Sequence, residues 1–200
     1  PMRAGQTLDV GPLRNGARAY LAVRGGVGVA PVLGSRSTDI NAALGPFGGR
    51  ALVAGDTLPT TRTSAPVEHV AWSLDPSPGL DDRGDRPIAL IRGAHFGRLD
   101  VQSQQAVFER EFRLGSQSNR VGFRLQGPAL RLRDPLELIS EGVVPGTVQL
   151  PPDGEPIVLM AEAPTTGGYP RVGHVAAVDL PRLAQRRPGQ AVRFVEVSPE

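Results

Sequence analysis

The chain has 200 residues, a formal net charge of +2 and 4% aromatic residues, with Gly 25 and Pro 20 spread along it without a period. That length can bury a core, and aperiodic glycine and proline exclude collagen and simple low complexity. There is no cysteine and all 22 basic residues are arginine, which excludes disulfides, thiolate nucleophiles, cysteine–zinc sites and any mechanism drawing a Schiff-base or phosphate-loop lysine from this chain.

The arginines are interspersed with acids, and the pairs Arg186-Arg187 and Arg131/Arg133 read as solvated surface, so no nucleic-acid partner is expected. No apolar run approaches the roughly 20 residues that span a bilayer, and no charged-then-apolar signal opens the chain. No membrane association and a cytoplasmic location are therefore expected, which absent cysteine suits. The start, Pro1-Met2-Arg3-Ala4-Gly5, reads as the middle of a protein, with an N-terminal part expected before it.

In chain order, Ala19 to Val23 is a strand candidate ended by Gly25-Gly26. Residues 27–50 read as a long ordered loop with a short helix at Ile40 to Leu44. Ala51 to Leu58 reads as strand, tight turn and strand start, and Ala4-Gly5-Gln6-Thr7-Leu8 echoes its last five residues. Residues 59–86, rich in Thr, Ser, Pro, Asp and Gly, read as a linker in which Trp72 packs on a flanking unit.

Strand signals then quicken: Ile88 to Ile91, Ala106 to Phe108 leading to Phe112 to Leu114, the alternating Val121 to Leu125, and Leu136 to Ile139. Thr147 to Leu150 and Pro156 to Met160 flank Pro151-Pro152-Asp153-Gly154, a hairpin signal through its proline and Asp-Gly chemistry. His174 to Val178 is a strand, Leu180 to Gln185 one helical turn, and Ala191 to Val197 a terminal strand. Short strands at this density predict a mainly β chain built on a closed or nearly closed antiparallel barrel with few short helices. The expected division is an N-terminal β subdomain over 1–84 and a C-terminal barrel over 85–200.

The three histidines, His69, His95 and His174, have no acid at ligand spacing, so no metal is expected. No Gly-x-Ser-x-Gly elbow is present, and Gly25-Gly26-Val27-Gly28 reads as a turn. His95, in Gly93-Ala94-His95, is the histidine placed to face a site.

Thr165-Thr166-Gly167-Gly168-Tyr169-Pro170 has two readings. Its glycines can expose successive N–H groups as an anion-binding concavity beside two hydroxyls and a phenol, or its threonines can cap a tight turn. Ser118-Asn119-Arg120 is either a carboxylate clamp through Arg120 or an Asn-led turn with a surface arginine. Glu141 is either a general base, a partner to Arg120, or a solvated carboxylate. Gln149 has either a substrate or a strand-neighbour role.

Four motifs occur in order: Val32-Leu33-Gly34-Ser35-Arg36-Ser37-Thr38, Ser118-Asn119-Arg120-Val121-Gly122-Phe123-Arg124-Leu125-Gln126-Gly127-Pro128, Ser140-Glu141-Gly142-Val143-Val144-Pro145-Gly146 and Thr165-Thr166-Gly167-Gly168-Tyr169-Pro170. Over nearly its whole length the chain resembles the allophanate hydrolase subunit 2 family, also called biotin-dependent carboxyltransferase-like and known as the C component of 5-oxoprolinase. That family includes the antagonist of a sporulation-kinase inhibitor and part of the urea carboxylase carboxyltransferase domain.

The resemblance implies cyclophilin-like β-barrel subdomains and a site shared with an obligate partner. The partner would be of the allophanate hydrolase subunit 1 type, equivalent to the B component of 5-oxoprolinase, with a third protein of the A-component type. The resemblance also implies a hydrolase that cleaves an amide with ATP, 5-oxoproline being the favoured substrate. Glu141 and Arg120 would be the catalytic pair, with Arg120 holding the carboxylate and Glu141 moving a proton. Ser118, Asn119, Gln149, Thr165, Thr166, Gly167, Gly168, Tyr169 and His95 would bind substrate. ATP would be bound by the complex rather than clearly by this chain. The alternatives are a urea-type carboxyltransferase with biotin on another polypeptide, and a non-catalytic regulator of a kinase-inhibitor-like partner. The chain departs from the family pattern at Glu162-Ala163-Pro164, Arg171 and Gly93-Ala94-His95.

Overall fold

The computed structural model describes residue 2, residues 5–61 and residues 86–198. Trp72, His69 and most of the expected linker lie outside the described residues. The chain divides into two compact units, Tyr20–Ser73, and Pro1–Ala19 together with Leu74–Glu200.

Among its described residues the larger unit holds ten strands: β1 (Ile88–Arg92), β2 (Phe112–Leu114), β3 (Gly122–Gln126), β4 (Glu141–Gly142), β5 (Thr147–Gln149), β6 (Ile157–Leu159), β7 (Thr166–Gly167), β8 (Arg171–Val175), β9 (Ala191–Val192) and β10 (Phe194–Glu196). Eight of them form one sheet in the order β10-β1-β8-β5-β6-β3-β2-β9, and β4 and β7 pair separately. The two ends of the large sheet, β9 and β10, are one extended segment interrupted only at Arg193. The segment pairs with β2 through Val192 and with β1 through Phe194. The sheet therefore nearly closes on itself, which removes exposed edges. The mainly β, barrel-like architecture read from the sequence is the one observed.

The alternating pattern explains the wall. Phe123 and Leu125 are buried while Arg124 between them is exposed, because successive strand side chains point to opposite faces. Phe112, Leu114, Val158 and Val175 fill the interior with them, each such burial stabilising by about 1.5–3 kcal/mol. The β5–β6 hairpin turns at Pro151–Gly154 as expected. Gly154 takes φ 82°, and the Asp153 carboxylate accepts the Glu155 N–H at 3.0 Å.

Among the described residues two α-helices pack on the barrel core through Val107 and Leu183. Helix α1 (Val101–Glu109) occupies the stretch where Ala106 to Phe108 reads as a strand. Its Asp100 N-cap carboxylate accepts the Ser103 N–H at 2.6 Å, a bond that holds the Asp100 carboxyl below the usual range. The cap and the following glutamines outweigh a three-residue apolar run. Helix α2 (Leu180–Ala184) is the single turn expected at Leu180. Residues 13–18 lie along the same unit: Gln185 Oε1 accepts the N–H groups of Ala17 and Arg18, and the Arg18 guanidinium lies 5.5 Å from the centre of the Phe123 ring. Leu136 to Ile139 forms no strand, and Ile139 is 90% exposed.

Among its described residues the smaller unit is built from turns, isolated β-bridges and a short 3-10 helix, Pro46–Gly49. Ala19 to Val23 forms no strand. Ile40 to Leu44 is a turn rather than a helix, because Asp39 and Leu44 exchange backbone hydrogen bonds while the Asp39 carboxylate takes the N–H groups of Asn41 and Ala42. The tight turn within Ala51 to Leu58 is present without a ladder. Asp56 accepts the Val53 N–H and pairs with Arg50 at 2.7 Å. The Arg50 hydrogen bond, then the Val53 N–H, draw the Asp56 carboxyl down to about 2.

Burial lowers the pKa of His174 on β8. The folded protein then holds His174 neutral where the unfolded chain is protonated. Its contribution to stability is complete above the ordinary histidine value of about 6.5 and is lost as pH falls through the folded value. Thermal unfolding followed between about pH 7 and about pH 5 should show a smaller drop in Tm for His174→Gln than for the wild type.

Candidate functional site

The site begins with a β-bulge between β5 and β8. Val148 faces Gly173, but Gln149 faces Arg171, so Val172 is an extra residue on β8. A bulge re-aims the side chain beside it. Gln149 also faces Ile157 on β6, and Ile157 faces Arg124 on β3. Arg171, Gln149, Ile157 and Arg124 thus form one row across four strands. Val148, Val158, Phe123 and Leu125 are buried in the core, so this row lies on the outer face of the barrel wall.

The two-stranded sheet lies over this face. Strand β4 pairs with β7, with Glu141 opposite Gly167 and Gly142 opposite Thr166. The Val143 N–H donates to the Thr165 carbonyl at 3.0 Å. Two of the expected loops are therefore joined by backbone hydrogen bonds. The Glu141 carboxylate accepts from the Arg171 guanidinium. Their side chains are 49% and 31% exposed, so the pair contributes little stability and acts to direct the carboxylate.

His95 braces Arg171 from the other side. The His95 N–H donates to the Arg171 carbonyl at 2.9 Å, and the Arg171 N–H donates to His95 Nδ1 at 3.0 Å. With Nδ1 accepting, the proton of the neutral ring sits on Nε2, making that nitrogen a donor. The approach requires glycine at 93, where a Cβ would lie 2.4 Å from the Arg171 carbonyl oxygen.

Gln149 is 5% exposed, and a Cβ at Gly167 would lie 2.4 Å from its Nε2. Its side chain lines a cleft of about 460 Å3 together with Asn119 and Arg124. Asn119 leads a turn: its Oδ1 accepts the N–H groups of Val121 and Gly122 at 2.9 and 3.3 Å. Ser118 Oγ accepts the Arg124 N–H at 3.1 Å.

Arg120 is paired with Glu162 on an exposed face rather than with Glu141. Gly168 and Tyr169 line a second, mostly apolar cleft of about 930 Å3 with Leu136, Leu138 and Pro151. The structure thus brings Glu141, Gln149 and His95 to Arg171, and pairs Thr165, Thr166 and Gly167 with the segment that carries Glu141. Asn119 reaches the group through the Gln149 cleft, and Tyr169 faces a different cleft.

Chemically, the group offers a carboxylate directed by the Arg171 guanidinium, an imidazole held on the Arg171 backbone and the side-chain amide of Gln149, with that of Asn119 along the adjoining cleft. Such a set can accept a proton and hold a carbonyl or carboxylate. Among the described residues no cluster of three His, Asp or Glu could hold a metal ion. Arg171 stands in the sequence only as a departure from the family pattern, and neither it nor Arg124 reads there as a site residue. Arg171 directly follows the glycine loop and Arg124 alternates with buried residues, but neither signal identifies what faces it across the sheet.

The carboxyltransferase domain, subdomain A and B, family matches residues 1–196, and the chain belongs to that family. Within it, the C component of the 5-oxoprolinase of Escherichia coli (strain K12) is 41% identical over 206 residues, spanning 100% of this chain and 63% of that protein. The urea amidolyase of Saccharomyces cerevisiae is 29% identical over 215 residues, spanning 100% of this chain and 12% of that protein. The crystal structure of the Kluyveromyces lactis urea amidolyase is similar with a TM-score of 0.79 and 28% identity, over 93% of this chain and 12% of that one. The chain accordingly spans less than two thirds of the bacterial relative's length.

Gly93→Ala should force His95 away from Arg171, because the added methyl meets backbone atoms that cannot swing aside. Urea denaturation should show a loss of about 1–3 kcal/mol, and the His95 imidazole resonances should shift in NMR spectra.

Proposed function

We propose that this chain is the substrate-handling part of the C-type component of an ATP-dependent 5-oxoprolinase. The observation supporting it is the meeting of Glu141, His95 and Gln149 around Arg171, in a chain 41% identical to the Escherichia coli protein. Glu141, directed by Arg171, carries a proton during opening of the lactam. His95 Nε2 and the Gln149 amide donate to oxygens of the substrate. The exposed half of the site faces partners of the B and A types, which complete it.

ATP supplies the driving force in this reading, and it is assigned to a partner. The Thr165 to Tyr169 loop leads into strand β8 and so lacks the helix N-terminus that favours phosphate, and the chain has no lysine among its 22 basic residues.

A second reading, a urea-type carboxyltransferase fed by carboxybiotin, is favoured by the likeness to the Kluyveromyces lactis structure. The biotin would then sit on a lysine supplied from elsewhere.

The test is coupled turnover of 5-oxoproline and ATP by the chain reconstituted with its B- and A-type partners. Glu141→Gln keeps a hydrogen-bond partner for Arg171 but removes the base, and kcat should fall by roughly 10²–10⁴-fold with KM little changed. Wild-type assemblies that leave 5-oxoproline intact yet carboxylate urea from carboxybiotin would establish the second reading instead.

A further inference from the structure

Gln149 is a polar side chain that the barrel itself does not use. Its Nε2 is buried and has no hydrogen-bond partner among the described residues. A buried donor without a partner is destabilising, and its persistence asks for an explanation. The glycine over it is chosen for this amide. The three atoms that a Cβ at Gly167 would meet all belong to Gln149, and the backbone there is not in the left-handed region.

The cleft that Gln149 lines is rich in donors. Its polar lining consists of Gln117, Asn119, Arg124 and Gln149, with no carboxylate, and Ile157 and Leu159 supply an apolar floor. Asn119 Oδ1 is occupied by its own turn, which leaves Nδ2 as the group it can offer. The Arg124 guanidinium forms no ion pair among the described residues. Arg124 and Gln149 sit in one row, separated by Ile157. Two strand spacings, about 10 Å, separate their backbones. Both residues line the cleft, and that gap leaves room for a small molecule.

We propose that this cleft recognises a small amide that also carries a carboxylate. On binding, the Gln149 side chain turns its amide out from beneath Gly167 so that Nε2 donates to the amide carbonyl oxygen, and Arg124 binds the carboxylate as a fork. The assignment rests on the proposed 5-oxoprolinase activity for the identity of that ligand, 5-oxoproline, and it moves the carboxylate clamp from Arg120 to Arg124. A site with a buried amide donor discriminates against analogues lacking the carbonyl, because the donor is then left unpaired.

The test is titration calorimetry on the intact chain assembled with its partners, using 5-oxoproline, 2-pyrrolidinone (no carboxylate), proline (no ring carbonyl) and urea. Gln149→Leu should weaken 5-oxoproline binding roughly 10–100-fold, to the level of proline. Arg124→Gln, an exposed position, should weaken 5-oxoproline to the level of 2-pyrrolidinone and leave 2-pyrrolidinone unchanged. Gly167→Ala displaces the Gln149 amide without removing it and should act like Gln149→Leu. Gly97→Ala, where an added methyl meets nothing within 4 Å, should bind like the wild type.

Turnover and binding of 5-oxoproline untouched by the Gln149 and Arg124 variants would overturn this recognition and leave the proposed activity standing. Binding of urea but not 5-oxoproline, lost on Gln149→Leu, would overturn the proposed substrate and the Arg124 role while supporting the amide recognition. A wild type that binds none of the four compounds would overturn the recognition altogether.

Discussion

One extra residue in strand β8 organises this molecule's outer face. Without the bulge at Val172, Gln149 would sit opposite Val172 and the Arg171 side chain would fall out of the row. With it, Arg171 is placed beside Gln149 on the solvent side of the wall. Because the strand period is two, a shift of one residue exchanges inside for outside. The rest of the site, from the Glu141 carboxylate to the His95 ring, is positioned relative to that arginine.

The arrangement relies more on backbone than on charge. The Glu141–Arg171 pair is partly exposed and would be screened by salt. What holds Arg171 is a reciprocal pair of hydrogen bonds to His95, made through Arg171's own N–H and carbonyl. What holds Glu141 is the β4–β7 ladder. Glycines at 93 and 167 allow these segments to approach within distances that a Cβ would forbid. The side chains can therefore remain half-exposed without losing their direction.

The segment from Thr165 to Pro170 separates two environments. Gly167 covers the Gln149 amide beside a donor-rich cleft, whereas Gly168 and Tyr169 face leucines and prolines in a second one. A loop of six residues thus presents two chemistries. The Asn119 loop and the Tyr169 loop consequently do not share a wall, although each borders the Gln149–Glu141 region from its own side.

Much of the fold was legible in the chain. Alternation at Val121 to Leu125, the Pro151 to Gly154 turn and the terminal strand are local signals with local causes, and they led to a barrel. Helix α1 was not read, because its evidence is a single capping aspartate, Asp100, before a glutamine-rich run. Ala19 to Val23 and Leu136 to Ile139 have strand composition, but a strand also needs an edge to pair with.

The ordered motifs by themselves pointed to the family and named Glu141 and the glycine loop, while Gln149 and His95 came from residues outside those motifs. Only the tertiary structure decided which groups meet: Arg171 rather than Arg120 at Glu141, and Arg124 rather than Arg120 at the Gln149 cleft. Those choices depend on strand register and on one bulge. Both are set by long-range backbone pairing, which leaves no local trace in residue order.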